Sequence, residues 1–144
     1  MKRKPKTVAS RPRCVLDSGG VSALIGRSQK ARAWLRWVVT HGGAVVVPTP
    51  VLAECTTGSS ARDAEVNRVL GILGRFGDAF AAPDEATARL AGTLRFVSST
   101  HDGIDALVAA EAARVDVATV VLTSDPGDLE RLLTGKPLVS VRRV

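Results

Sequence analysis

Apolar positions along the chain follow two alternating patterns. Short runs rich in β-branched residues, at 14–16, 44–47, 120–123 and 138–141, are separated by longer stretches in which apolar residues recur with a helical period. After Ser28, a good N-cap, Ala31, Trp34, Leu35 and Val38 recur as i, i+3, i+4 and i+7, and Gly42-Gly43 ends the pattern, so Trp34 and Leu35 read as core. Asp17 ends the first run, and Ser18-Gly19-Gly20 turns the chain into a helix over 21–25. Ser60 and Asp63 form a capping pair ahead of a helix with Val66, Val69, Leu70, Leu73 and Phe76 on one face. Asp84 caps a helix carrying Leu90, Leu94 and Val97. Asp102 caps one whose stripe of Ile104, Leu107, Val108, Ala112 and Val115 is apolar except at Glu111. A short strand near 79–81 and a short helix over 128–133 complete the series. Strands separated by helices predict an α/β fold: a mostly parallel central sheet with helices on both faces.

Composition narrows the picture. At 144 residues, 45% hydrophobic and 24% charged, the chain suits one domain with a sizeable core. No apolar run is long enough for a membrane span, and the basic start is not followed by the apolar stretch of a signal peptide, so the expectation is a cytoplasmic protein with no membrane partner. Cys14 and Cys55 lie far apart and outside any paired motif, as reduced thiols do.

The net charge of +6 is concentrated at one end. Lys2, Arg3, Lys4, Lys6, Arg11 and Arg13 precede any acid, and the remaining 14 of the 20 basic residues face 14 acids. This divides the chain into a basic arm, 1–13, and a single domain, 14–144. The arm is either a tether for an RNA backbone or a solvated tail. With no Tyr and 3% aromatic residues, an extended platform for stacking bases is not expected.

The candidate chemistry resides in acids. Ligands of such sheets collect beyond the carboxyl ends of the strands, where Asp17 and Asp125 follow apolar runs. Glu54 comes one helical turn after the second run, Asp105 opens a helix, and Asp128 lies one turn beyond Asp125. Two carboxylates 4 Å apart repel by about 4 kcal/mol at an effective dielectric near 20, a cost that a bound cation removes. An all-oxygen donor set selects Mg²⁺ or Mn²⁺, whose natural chemistry at such a rim is phosphodiester hydrolysis.

Each acid also has a plainer reading. Asp105 complements a helix dipole, and Asp125 and Asp128 suit a turn and a helix start. Glu54 is an acid on the apolar turn Val51-Leu52-Ala53, and Asp17 ends a strand with no evident structural need for charge. Glu111 either supports the site or pairs with Arg114. His41 and His101 read as surface residues, and Cys55 as a small core residue. The D-x-D of haloacid-dehalogenase-like phosphatases is absent, as are G-x-S-x-G, Walker A and G-x-G-x-x-G motifs; Lys136 is poorly placed for a receiver domain.

Four segments together resemble the PIN domain, and within it the VapC-type toxins of type II toxin-antitoxin modules. They are Val15-Leu16-Asp17-Ser18 with Ser22-Ala23-Leu24, Pro50-Val51-Leu52-Ala53-Glu54, Asp105-Ala106-Leu107-Val108-Ala109-Ala110, and Thr123-Ser124-Asp125-Pro126-Gly127-Asp128-Leu129. They run in the family's order over residues 15–129. The resemblance implies a PIN-like three-layer domain and a Mg²⁺- or Mn²⁺-dependent ribonuclease. Asp17, Glu54, Asp105 and Asp125 would hold the metal, Asp128 would assist, and Thr123 or Ser124 would orient a carboxylate. It further implies a homodimer and a VapB-like antitoxin whose C-terminal segment blocks the acidic pocket. Gly19-Gly20 departs from the family's plainer Asp-Thr/Ser-Ser turn. The family can also carry Asn at the position of Asp125, which leaves open how Asp125 and Asp128 divide the last metal position. The competing expectation is a PIN-like module that binds RNA or protein without cleaving.

Overall fold

A computed structural model describes residues 10–76 and 79–144. Strands β1 (Arg13–Leu16), β2 (Ala44–Pro48), β3 (Phe80–Ala81), β4 (Thr119–Thr123) and β5 (Val139–Arg143) form one sheet in the order β3-β2-β1-β4-β5. Every pairing is parallel, with Cys14 opposite Val45 on one side and Val120 on the other. The helices are α1 (Ser18–Ile25), α2 (Gln29–Thr40), α3 (Leu52–Cys55), α4 (Ala64–Leu73), α5 (Glu85–Ser98), α6 (Gly103–Ala113) and α7 (Gly127–Leu132). They cover both faces of the sheet; α5, α6 and α7 pack together, as do α1, α2 and α4 with α1 between its neighbours. Among the described residues no helix is long and apolar enough to cross a membrane.

The sheet centre is apolar because its strands are buried on both faces. Cys14, Val15 and Leu16 of β1 and Val121 and Leu122 of β4 are wholly buried, and each Val or Leu contributes roughly 1.5–3 kcal/mol by leaving water. The chain winds from β1 outward through β2 and β3, then returns to the other side of β1 to lay down β4 and β5. The order therefore reverses between β1 and β4, and the carboxyl ends of strands at such a reversal are where open α/β sheets gather ligands.

Several local features differ from the sequence expectation. Helix α1 begins at Ser18, not at 21, because Asp17 is its N-cap: the Gly20 N–H donates to Asp17 Oδ1 at 2.7 Å. Gly19 and Gly20 are thus helical residues, not a turn. A side chain at Gly20 would bring its Cβ within 2.5 Å of the Leu122 carbonyl oxygen, and one at Gly19 within 2.6 Å of the Ser124 nitrogen. The two glycines let α1 lie directly on the end of β4. Asp63 does not share a capping box with Ser60; it accepts from the Thr57 N–H and hydroxyl and from the Gly58 N–H, tying down that loop. Trp34 and Leu35 are only partly buried against the core. Phe76 and Val97, 46% and 77% exposed, leave the apolar faces assigned to them because the first lies beyond α4 and the second in the last turn of α5.

Arg13 belongs to the domain and not to the arm. It opens β1, is buried, and donates to Glu111 Oε1 at 2.7 Å and to the Glu111 carbonyl at 3.1 Å. Arg114 reaches the other Glu111 carboxylate oxygen at 2.9 Å. Glu111 therefore bridges two arginines instead of supporting the acid site, and Arg13 is not available to a phosphate. Arg11 is exposed, while Lys2, Arg3, Lys4 and Lys6 lie outside the described residues.

Candidate metal centre at the sheet switch point

Asp17 sits where β1 ends and α1 begins, at the reversal in strand order. Its two roles coincide: capping α1 fixes the carboxylate, and the end of β1 places it at that reversal. Although charged, the residue is only 7% exposed. Burial raises its pKa above the usual carboxylate range, opposed by nearby donors, of which the Gly20 N–H is in hydrogen-bond contact at 2.7 Å. Of the two hydroxyls proposed to orient a carboxylate, buried Thr123 faces Asp17, whereas Ser124 is exposed.

Asp105, in the first turn of α6, is half-buried and pushed up to about 6. Burial is the main cause, followed by the charges of Asp102, Asp17, Glu54 and Asp128. Three carboxylates distant in the chain, Asp17, Glu54 and Asp128, thus act on Asp105 across the rim. Cys55 feels Glu54 and Asp17 as well; burial first, then those charges, raises its thiol. It borders the site and is only half-buried, a different position from the core role expected of it.

The remaining acids are arranged less tightly. Glu54 is exposed on α3. Asp128 opens α7 and is ion-paired with Arg131. Asp125 is exposed, and its backbone is tied to Thr123, whose hydroxyl accepts from the Asp125 N–H at 3.1 Å and donates to the Asp125 carbonyl at 3.2 Å. Asp125 is not among the charges acting on Asp105, whereas Asp128 is. Among the described residues, no three His, Cys, Asp or Glu side chains stand close enough together to hold a metal ion. The acids act on Asp105 through their charges without forming a closed cage.

No family model matches the sequence, and no curated protein matches it. Solved structures do. FitAB bound to an IR36 DNA fragment aligns with a TM-score of 0.66 at 20% identity, over 90% of this chain and 94% of that one. VapBC2 from Rickettsia felis, bound to a promoter DNA fragment, aligns at 0.68 and 13% over 92% and 98%. A toxin-antitoxin complex from Klebsiella pneumoniae aligns at 0.65 and 16% over 91% and 99%. The fold matches that of the VapBC and FitAB PIN-domain toxins.

At these identities the likeness is one of fold, so the chemistry must be argued from this chain's own side chains. Within the PIN fold, the donor set at the switch point is all oxygen and strongly anionic. Such a set fits a hard divalent cation, because a cation would offset the burial, and after it the like charges, that raise Asp105 to about 6. Asp102 is a site residue that sequence reading assigned only to capping. It accepts from the Ile104 and Asp105 N–H groups at 2.8 and 2.9 Å, and it is the largest charge influence on Asp105. Its spacing of three from Asp105, less than one helical turn, was the available signal.

Proposed function

We propose that this protein is a VapC-type toxin: a Mg²⁺- or Mn²⁺-dependent endoribonuclease of the cytoplasm, acting as a homodimer and held inactive by a cognate VapB-like antitoxin. The observation that carries the reading is the pair formed by buried Asp17, locked as an N-cap at the switch point, and Asp105, pushed up to about 6 beside it. Uncompensated burial of charge at a crevice is costly to a fold and useful to a metal site. That the solved structures of this fold include a toxin-antitoxin complex supports the antitoxin partner.

Asp17, Glu54, Asp105 and Asp128 would hold the cation, with Asp125 nearby and Thr123 orienting Asp17. A cation bound there would supply Lewis acidity, lowering the pKa of a water and neutralising phosphodiester charge. The protein's own groups do the rest. The Gly20 N–H fixes the Asp17 carboxylate at the head of α1, and Asp105 would have to be deprotonated to serve as a ligand. Asp128 would have to give up its ion pair with Arg131 to reach a cation.

The test is cleavage of a mixed RNA pool by antitoxin-free protein with Mg²⁺, Mn²⁺ or EDTA, for wild type, Asp17→Asn and Asp105→Asn. Asn caps a helix as well as Asp, so the first variant keeps its fold. Loss of a ligand should cost at least the roughly 10- to 100-fold that loss of an outer partner costs. The absence of three converged donors among the described residues favours one rival, a PIN-like module that binds RNA or protein without cleaving. Folded wild-type protein that binds RNA and leaves it intact with either metal would establish that rival.

A further inference from the structure

Both tryptophans of the chain lie together, far from the acids. They stand on α2 with ring centroids 5.9 Å apart, edge to face, and Trp37 stacks at 4.7 Å on His41. Arg142 of β5 lies over Trp34 at 5.8 Å from the ring centroid. Between α2 and β5 runs a groove of about 460 Å³, floored by Val120 and Leu138 and edged by the Ser140 and Thr119 side chains. Trp37 and Leu138 are 47% and 48% exposed there, an unusual position for two large apolar side chains.

The two elements that flank this groove carry charges of one sign, and exposed Asp116, two residues before Ala118 of the lining, is the acid nearest to it in sequence. Neither α2 nor β5 carries an acid. Lys30 precedes Trp34 by one turn on the same stripe of α2, and Arg11 lies against Gly42 just beyond the far end of that helix. Glu111, reached from the groove through Arg13, is neutralised by its two arginines. An apolar cleft with one half-exposed indole, Trp37, beside Trp34, and unpaired cations at both ends, suits a ligand that is flat and apolar at intervals and anionic along its length. A single-stranded nucleic acid has that chemistry.

We propose that the groove between α2 and β5 is a second contact site for single-stranded RNA. Trp37 and Trp34 stack on unpaired bases, and Arg11, Arg142 and Lys30 hold the flanking phosphates. The inference rests on the ribonuclease reading for its choice of ligand and deepens it. β5 runs toward the rim, pairing Arg142 with Leu122 and Arg143 with Thr123, so a strand held along it is directed at the rim that carries Asp17. Two tryptophans make a local clamp and not an extended stacking platform.

The groove can be read directly, because the only two tryptophans lie in it and the chain has no Tyr. Oligouridylate is titrated into Asp17→Asn protein in EDTA, where nothing is cleaved, and intrinsic fluorescence is followed. The expected result is saturable quenching, with log affinity falling against log salt with a slope of about 2 for three phosphate contacts. Trp37→Leu should weaken binding on the order of tenfold, measured by polarisation of labelled RNA. Arg142→Gln, at an exposed edge position, should lower the salt slope by about 0.7 and serves if the Trp37 variant misfolds. Binding without quenching, equal quenching by duplex RNA of the same length, or quenching only by an acidic antitoxin segment overturns the proposal. Cleavage by wild type without quenching refutes this site and leaves the nuclease standing; quenching without cleavage does the reverse.

Discussion

Asp105→Asn should stabilise the metal-free protein, and by an amount that depends on pH. The wild-type carboxyl titrates near 6 in the folded state against an ordinary 3.8, so the native state holds this proton more tightly than the unfolded chain does. Below about pH 4 the proton is bound in both states and Asp105 costs nothing. As pH rises through 6 the folded protein must ionise a half-buried group among like charges, and the penalty stands in full above about pH 7. Undiminished, the displacement corresponds to about 3 kcal/mol, and solvent screening of a half-exposed group reduces it to about 1.5 kcal/mol. Asn, uncharged and of the same shape, escapes this cost. Urea unfolding of both proteins in EDTA at several pH values between 4 and 8 should show equal stability at the acid end. The variant should gain steadily to about 1.5 kcal/mol at pH 8. Saturating Mg²⁺ should reverse the order, because a ligand that binds the native state at 100 times its Kd contributes about 2.7 kcal/mol to wild type alone. A difference that stays flat from pH 4 to 8, or a wild type that is the more stable at pH 8 without metal, would refute the clustering of acids around Asp105.

Other consequences follow from the packing. Gly20→Ala should destabilise by roughly 1–3 kcal/mol in a urea titration, although helix propensity alone favours alanine by about 1 kcal/mol, because the new Cβ meets the Leu122 carbonyl. Asp17→Ala should lose about 1 kcal/mol that Asp17→Asn retains, since only the latter still accepts from the Gly20 N–H; thermal melts of the two variants separate the cap from the charge. Glu111→Ala should cost about 3–5 kcal/mol by leaving buried Arg13 unpaired, whereas the joint change Arg13→Met with Glu111→Leu should be close to neutral, as chemical denaturation of the three proteins would reveal.

The fold was legible because its signals are local. Runs such as 120–123 and the stripe through Ala31 and Val38 announce strand and helix from neighbouring residues alone, and their alternation leads to a parallel sheet with helices on both faces. The place of Asp17 at a strand's carboxyl end follows from that alternation, whereas the strand order that makes it a switch point does not. What stayed hidden depends on distant partners. Arg13 looked like the end of a basic arm because the residue that buries it, Glu111, is 98 positions away. Gly19 and Gly20 read as a turn because nothing nearby announces the close approach of β4. Asp63 was taken for a cap when its partners lie behind it, at Thr57 and Gly58. Trp34 read as core by helical period, and only β5, a hundred residues on, turns its flank and that of Trp37 into a groove.

The central claim is that the carboxylates at the β1–β4 switch point form a divalent cation site. Calorimetric titration of Mn²⁺ into the metal-free protein, in buffers of different ionisation enthalpy, tests it most directly. One ion should bind, releasing about half a proton at pH 6 and almost none at pH 8 as Asp105 yields its place to the metal, and Asp17→Asn should abolish the heat. Binding with no proton release at pH 6, or binding unchanged in Asp17→Asn, would contradict it.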